Sequence, residues 1–340
     1  MIEGTVGTQT IVRVPNSPTI FMPTYRHSLP QTRDQLFVTD GGLETTLVFH
    51  DGMDLPAFAA FPLLDTEPGR DRLATYYREY LNHAAQHGLG FILESATWRA
   101  NRDWAAQLGY NAEQLADLNR RGIDEMVALR WEFEGRVPAI VISGCVGPRG
   151  DGYLAENLMS AHDAEAYHEE QVRIFAETEA DMISAFTLTY VEEAIGIVRA
   201  AQRHGLPSAI SFTVETDGKL PSGQTLADAI AQVDAATGGG PAYYMINCAH
   251  PAHFAALLES DAPWVRRIRG LRANASRRSH AELNESTTLD EGNPTELGQE
   301  IRTLRTRRPH LAILGGCCGT DARHIAAICK ACAPSPVFVS

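Results

Sequence analysis

No stretch of this chain approaches the roughly 20 uninterrupted apolar residues that a membrane-crossing helix needs, so a spanning role is not expected. Positive charge is also short. Against 42 Asp and Glu stand 29 Lys and Arg, and the formal charge of -13 repels phosphate backbones, which argues against nucleic-acid binding. Cysteine is sparse and clustered, with six in 340 residues, so a disulfide framework is not expected. Metal ligation or catalysis is the better use of such thiols in a reducing compartment. The first 21 residues, MIEGTVGTQTIVRVPNSPTIF, carry an early acid and prolines where a signal peptide has a basic start and a continuous apolar segment. A cytoplasmic protein is the expectation, with residues 1–33 as an extended N-terminal arm and 34–340 as a single domain. No GxGxxG follows the first apolar run, which weakens a dinucleotide-binding open sheet.

What is present is periodic. Eight short apolar, β-rich runs recur at 36–42, 90–97, 139–148, 181–188, 207–213, 242–250, 268–276 and 311–319. Longer stretches with helical spacing lie between them, such as RDRLATYYREYLNHAAQHG and VEEAIGIVRAAQRHG, several closed by a glycine at the C-cap. Strands alternating with helices imply a parallel sheet, and eight such units predict a closed (β/α)8 barrel. One polar stretch, SRRSHAELNESTTLDEGNP (276–294), has neither period. It reads as a surface excursion after the seventh strand, either a disordered insertion or a lid over a site.

In such a barrel the site lies at the C-terminal ends of the strands. Asp40 ends the first run, Glu94 to Thr97 the second, Cys145 the third, Asn247 and Cys248 the sixth, and Cys317 with Cys318 the eighth. Cys248, Cys317 and Cys318 can therefore converge on one point. Three thiolates around Zn2+ leave a fourth tetrahedral position open, the pattern of a catalytic zinc site. Consecutive strand residues face opposite ways, so Cys317 and Cys318 share one ion only if the backbone turns sharply. Gly315, Gly316 and Gly319 supply that freedom through positive φ and close approach. Simple burial of the thiols is the competing explanation. Cys145 reads as a rim or core residue, and Cys329 with Cys332, in CKAC, as core packing. His168 and His250 read more readily as core or surface groups than as ligands, and Glu169 and Glu170 as part of a solvated helix face.

The landmarks DGGLETTL (40–47), ESATWRAN (94–101), GCVGPRGDGY (144–153), VEEA (191–194), INCAHP (246–251) and GGCCGTDARHI (315–325) occur together and in order. On these the chain resembles the homocysteine S-methyltransferase family, with its betaine-, S-methylmethionine- and S-adenosylmethionine-dependent members. The resemblance implies a zinc-containing barrel in which Cys248, Cys317 and Cys318 bind the metal and Asp40, Gly41 and Gly42 lie under the acceptor amino acid. It implies further that Asp40 helps hold the acceptor's ammonium and that Ser95, Thr97 and Asn247 lie near the acceptor. The family's usual Glu at the end of the fourth strand is Phe186 here, and LRANAS stands where relatives show a PNSG-like turn. Either the amine is held differently or the acceptor is not homocysteine.

The expected activity is zinc-dependent methyl transfer from a small onium donor to homocysteine, forming methionine. Trp98, Tyr153 or Trp104 would wall the donor's positive charge, or merely pack. A folate or corrinoid donor would need further modules. Two other readings stand beside this one: a methyltransferase for a different thiol or selenol, and a non-catalytic zinc-binding barrel. A homo-oligomer is compatible with a barrel surface, but no segment marks an interface.

Overall fold

The computed structural model describes residues 22–33 and 35–334. Eight parallel strands close in chain order into a barrel: β1 Phe37–Val38, β2 Gly90–Glu94, β3 Ile140–Val146, β4 Met182–Leu188, β5 Ser208–Phe212, β6 Tyr243–Asn247, β7 Ile268–Ala273 and β8 Ile313–Gly316. The ring closes where Phe37 pairs with Ile313 and Val38 with Leu314. This is the (β/α)8 fold that the eight runs predict. All the runs except the fourth overshoot the strands at their C-terminal ends, because their last residues leave the sheet to build the mouth.

The strands read as unbroken apolar runs because both faces are buried. Along β3, Val141 and Cys145 point into the barrel with Ile92, Met182, Phe186, Tyr243, Met245 and Ile313, while Ile140, Ile142 and Val146 point out against the helices. Each fully buried side chain of this size contributes about 1.5–3 kcal/mol. The helices are fixed locally at their ends. Glu67–His87 begins where the Thr66 side chain accepts from the Gly69 N–H and stops at Gly88, whose φ of 62° continues no helix. Ala112–Glu132 opens on a reciprocal Asn111–Gln114 capping box.

Residues 1–21 of the expected arm lie outside the described residues. Residues 22–33 are folded rather than extended. They turn beneath the N-terminal end of the barrel and include a 3-10 turn at Pro30–Thr32. Leu29 joins the barrel's interior cluster, and Gln31 donates to Tyr243 Oη at 3.3 Å. The Arg26 guanidinium donates to the carbonyls of Ala176, Thr178 and Ala180 at 2.7–3.0 Å. A segment without its own period is thus ordered by the acceptors that it satisfies.

The excursion at 276–294 is likewise ordered. It contains a short helix, His280–Asn284, with a Ser279–Glu282 capping box, and it lies across the C-terminal mouth. Five helical residues are too few to show a period, which is why the sequence left lid and insertion open. No helix among the described residues is long and apolar enough to cross a membrane.

Candidate active site

The C-terminal ends of the strands surround a cavity of about 400 Å³. Three thiols meet at its wall. Cys248 follows β6 with φ of 56°, a left-handed conformation that costs a non-glycine residue about 1–2 kcal/mol. Two hydrogen bonds hold it there: its N–H donates to Arg272 O at 3.1 Å, and its carbonyl accepts from His280 Nε2 at 2.7 Å. Cys317 and Cys318 follow β8. Of the three glycines around them only Gly319 has positive φ, at 77°. Gly315 and Gly316 are needed instead for close approach, since a Cβ would sit 1.9 Å from Thr39 Oγ1 on the first and 2.0 Å from Thr320 Oγ1 on the second.

The three Sγ atoms lie within 4.8 Å of one another, with Cys248 and Cys318 3.5 Å apart. Sulfurs bound to a tetrahedral zinc at 2.3 Å would stand about 3.8 Å apart. The donor set and its spacing therefore fit zinc. Without a metal the thiols share protons: hydrogen bonds from Cys248 and Cys318 lower the Cys317 pKa, and the bond to Cys317 raises that of Cys248. The Tyr153 hydroxyl lies 3.1 Å from Cys248 Sγ and 3.3 Å from Cys318 Sγ, and its ring stacks on His280 at 4.2 Å. Sequence reasoning placed Tyr153 at a donor wall and did not foresee this contact, which a loop brings about.

Asp40 and Arg272 form a buried ion pair, Arg272 Nη2 to Asp40 Oδ1 at 2.8 Å. The second Asp40 oxygen accepts from Tyr76 Oη at 3.1 Å. Arg272 also donates to the carbonyls of Gly316 and Gly41, and its guanidinium lies 4.9 Å from the centre of the Phe186 ring. Burial pushes the Asp40 carboxyl up, against the opposing pull of Arg272. Glu94, at the end of β2, accepts from Ser184 at 2.9 Å, and burial raises its pKa to about 7. Sequence reasoning passed over Arg272, whose partner lies 232 residues away.

The other predicted residues divide. Gly41, Gly42, Ser95, Trp98 and Asn247 line the cavity. Thr97 is fully buried behind it: its hydroxyl bonds Ser95 at 2.7 Å and donates to Cys145 O at 2.8 Å, tying β2 to β3. Asn247 accepts from the N–H of Thr187, whose φ of 62° is unusual for a β-branched residue, and from Ser211. Trp104 stands away from the cavity beneath Arg99, 4.0 Å from its ring centre. Cys145 reaches the cavity but is not in the thiol cluster, and Cys329 and Cys332 pack in the core. His168 pairs with buried Glu193, while His250 caps the helix at Pro251, and burial lowers its pKa to about 4. Glu169 pairs with Arg203 at the surface. A second group, His50, Glu291 and Asp321, is already bridged by Arg323, which pairs with both acids.

The profile of homocysteine S-methyltransferases matches residues 37–332. The chain belongs to the homocysteine S-methyltransferase family. Among the family's curated members it is 26% identical over 319 residues to homocysteine S-methyltransferase 4 of Zea mays, covering 86% of this chain and 88% of that one. It is 25% identical over 325 residues to selenocysteine Se-methyltransferase of Brassica oleracea var. italica, with the same coverage of 86% and 88%. The metallated form of the homocysteine methyltransferase MmuM from Escherichia coli has the same fold, with a TM-score of 0.69 at 19% identity over 88% of this chain and 96% of that one. Family membership makes this barrel a methyltransferase, and the thiol cluster at the ends of β6 and β8 lies within the matched residues.

Proposed function

We propose that the protein is a zinc-dependent thiol S-methyltransferase that moves methyl from a small onium donor to homocysteine, giving methionine. S-methylmethionine, S-adenosylmethionine and betaine are the donors of suitable size. The observation that carries the reading is the meeting of Cys248, Cys317 and Cys318 at the wall of a cavity large enough for two small molecules.

Cys248, Cys317 and Cys318 would hold the metal, which when bound keeps an incoming thiol deprotonated at neutral pH. The chain does the rest by position. The Asp40–Arg272 pair and the Gly41–Gly42 backbone form a rigid floor for the acceptor, and the 276–294 excursion narrows the mouth and excludes water. Half-buried Trp98 offers an aromatic face to the onium charge. The acceptor sulfur attacks the methyl carbon in line. A new C–S bond forms as the carbon–onium bond breaks, and the electron pair stays on the departing sulfur or nitrogen, which leaves neutral.

Phe186 supports a second reading, in which the acceptor is another thiol or a selenol such as the selenocysteine named for the Brassica relative. One experiment addresses both. Wild type and Cys317→Ala are analysed for zinc and then screened with the three donors against homocysteine, selenocysteine and other thiols. One zinc per chain, lost in the variant, together with methionine formation supports the first reading. Zinc without methionine but with another methylated product supports the second, and a fully reduced protein without zinc removes both.

A further inference from the structure

An amino-acid acceptor brings an ammonium into the cavity, and a cation in so dry a place needs an anion. Five carboxylates line the walls: Asp40, Glu44, Glu94, Asp151 and Asp290. Four are engaged. Asp40 is taken at both oxygens by Arg272 and Tyr76. Glu94 accepts from Ser184 at Oε1, while its Oε2 is buried and has no partner among the described residues, at a residue only 4% exposed. Asp151 accepts the N–H groups of Tyr153 and Leu154, and Asp290 accepts from Ser276 and Gly292 and pairs with Arg278. Glu44 is different. Its carboxylate accepts a backbone N–H but no hydrogen bond or ion pair from another side chain among the described residues, and unlike the exposed Asp151, which is also bonded only by backbone, it is half-buried against the thiol wall.

Its position is built into the thiol wall. The turn at 42–45 packs directly on the cysteine loop: a Cβ on Gly42 would lie 2.6 Å from Cys317 O, and the N–H of Gly319 donates to Thr45 Oγ1 at 3.2 Å. The Glu44 carboxylate is half-buried there, within electrostatic reach of Cys317, Asp40 and Arg99. Arg99 does not close on it, because that guanidinium stacks on Trp104 and donates to Ala57 O at 2.6 Å. Burial raises the Glu44 pKa to about 7, with the Cys317 charge adding to the effect. A cation arriving beside it would reverse that shift.

We propose that Glu44 binds the ammonium of the thiol acceptor and so selects amino-bearing thiols over amine-free ones. The assignment rests on the acceptor reading above and names the residue that enforces it. In homocysteine three carbons separate sulfur from the amine, so a sulfur at the cysteine triad places the ammonium along the same wall.

The test compares L-homocysteine with its amine-free counterpart, 4-mercaptobutanoate, by calorimetric titration into zinc-loaded wild type, Glu44→Gln and Glu44→Asp, with zinc content measured in all three. Wild type is expected to favour homocysteine by roughly tenfold or more, as a charge-assisted hydrogen bond would. In Glu44→Gln the preference falls to near unity while the affinity for 4-mercaptobutanoate and the zinc content stay unchanged, and Glu44→Asp recovers part of it. An equal preference in wild type and Glu44→Gln overturns the proposal. If wild type binds neither compound, the homocysteine reading fails on its own. Cysteamine against 2-mercaptoethanol then reads the amine preference separately, and a ratio that Glu44→Gln does not change overturns the role of Glu44.

Discussion

Arg272 closes the carboxylate of Asp40 inside the barrel mouth, with 2.8 Å between Nη2 and Oδ1 and both side chains almost fully buried. The pair, reinforced by the Gly41 carbonyl, links β7 to the loop after β1 and, through the carbonyl of Gly316, to the end of β8 from which the cysteines follow.

Removing one partner strands the other's charge. Arg272→Met is expected to destabilise the fold by about 3–5 kcal/mol, whereas Arg272→Met combined with Asp40→Leu should cost clearly less, because no charge is left unpaired. Urea denaturation of the two variants measures both values. A single variant as stable as wild type would show that water reaches the pair.

Glu94 sets a pH dependence. Its pKa rises from 4.5 unfolded to about 7 folded, chiefly through burial, with Arg272 opposing. A raised folded pKa means that the folded state holds the proton longer. Its stabilising contribution is full below pH 4.5 and is lost as pH climbs through about 7. Wild type should therefore lose on the order of 2–3 kcal/mol across that window from this group, and Glu94→Gln should flatten the slope. Denaturation midpoints between pH 5 and 7.5 for the two proteins decide it.

Cysteines in the same cavity should differ in consequence. Cys145 lines the cavity outside the triad, so Cys145→Ala should retain one zinc per chain, whereas Cys248→Ala should lose most of it. Elemental analysis after gel filtration separates the two. Equal zinc in both variants would place the metal elsewhere.

Much of this was legible in the residue order, for physical reasons. Barrel strands are buried on both faces, so each appears as an apolar run, and thiols at two run ends, those of the eighth set between glycines, stand out against it. Relationships between distant residues were not legible. LRANAS reads as a strand with one stray charge until Asp40 is seen opposite Arg272. Glu44 in DGGLETTL reads as an ordinary acid in a first helical turn until the turn is seen packed against the cysteine loop. Ser95 and Thr97 carry hydroxyls suited to a ligand, but one covers the other and both serve backbone groups of β3. Tyr153 reaches the thiols through a loop whose path no periodicity encodes.

The plug beneath the barrel bears on how the chain is made. Arg26 finds its carbonyl acceptors 150 to 154 residues downstream, at the approach to β4. At about 5–20 residues per second, synthesis reaches that point roughly 8–30 s after Arg26 itself is joined. Over that interval the Arg26 guanidinium has none of these acceptors, and Gln31 waits longer for Tyr243. The segment's last hydrogen-bonding partner, Arg269, which donates to the carbonyls of Gln31 and Arg33, follows later still, so the floor can be completed only after most of the barrel has been made.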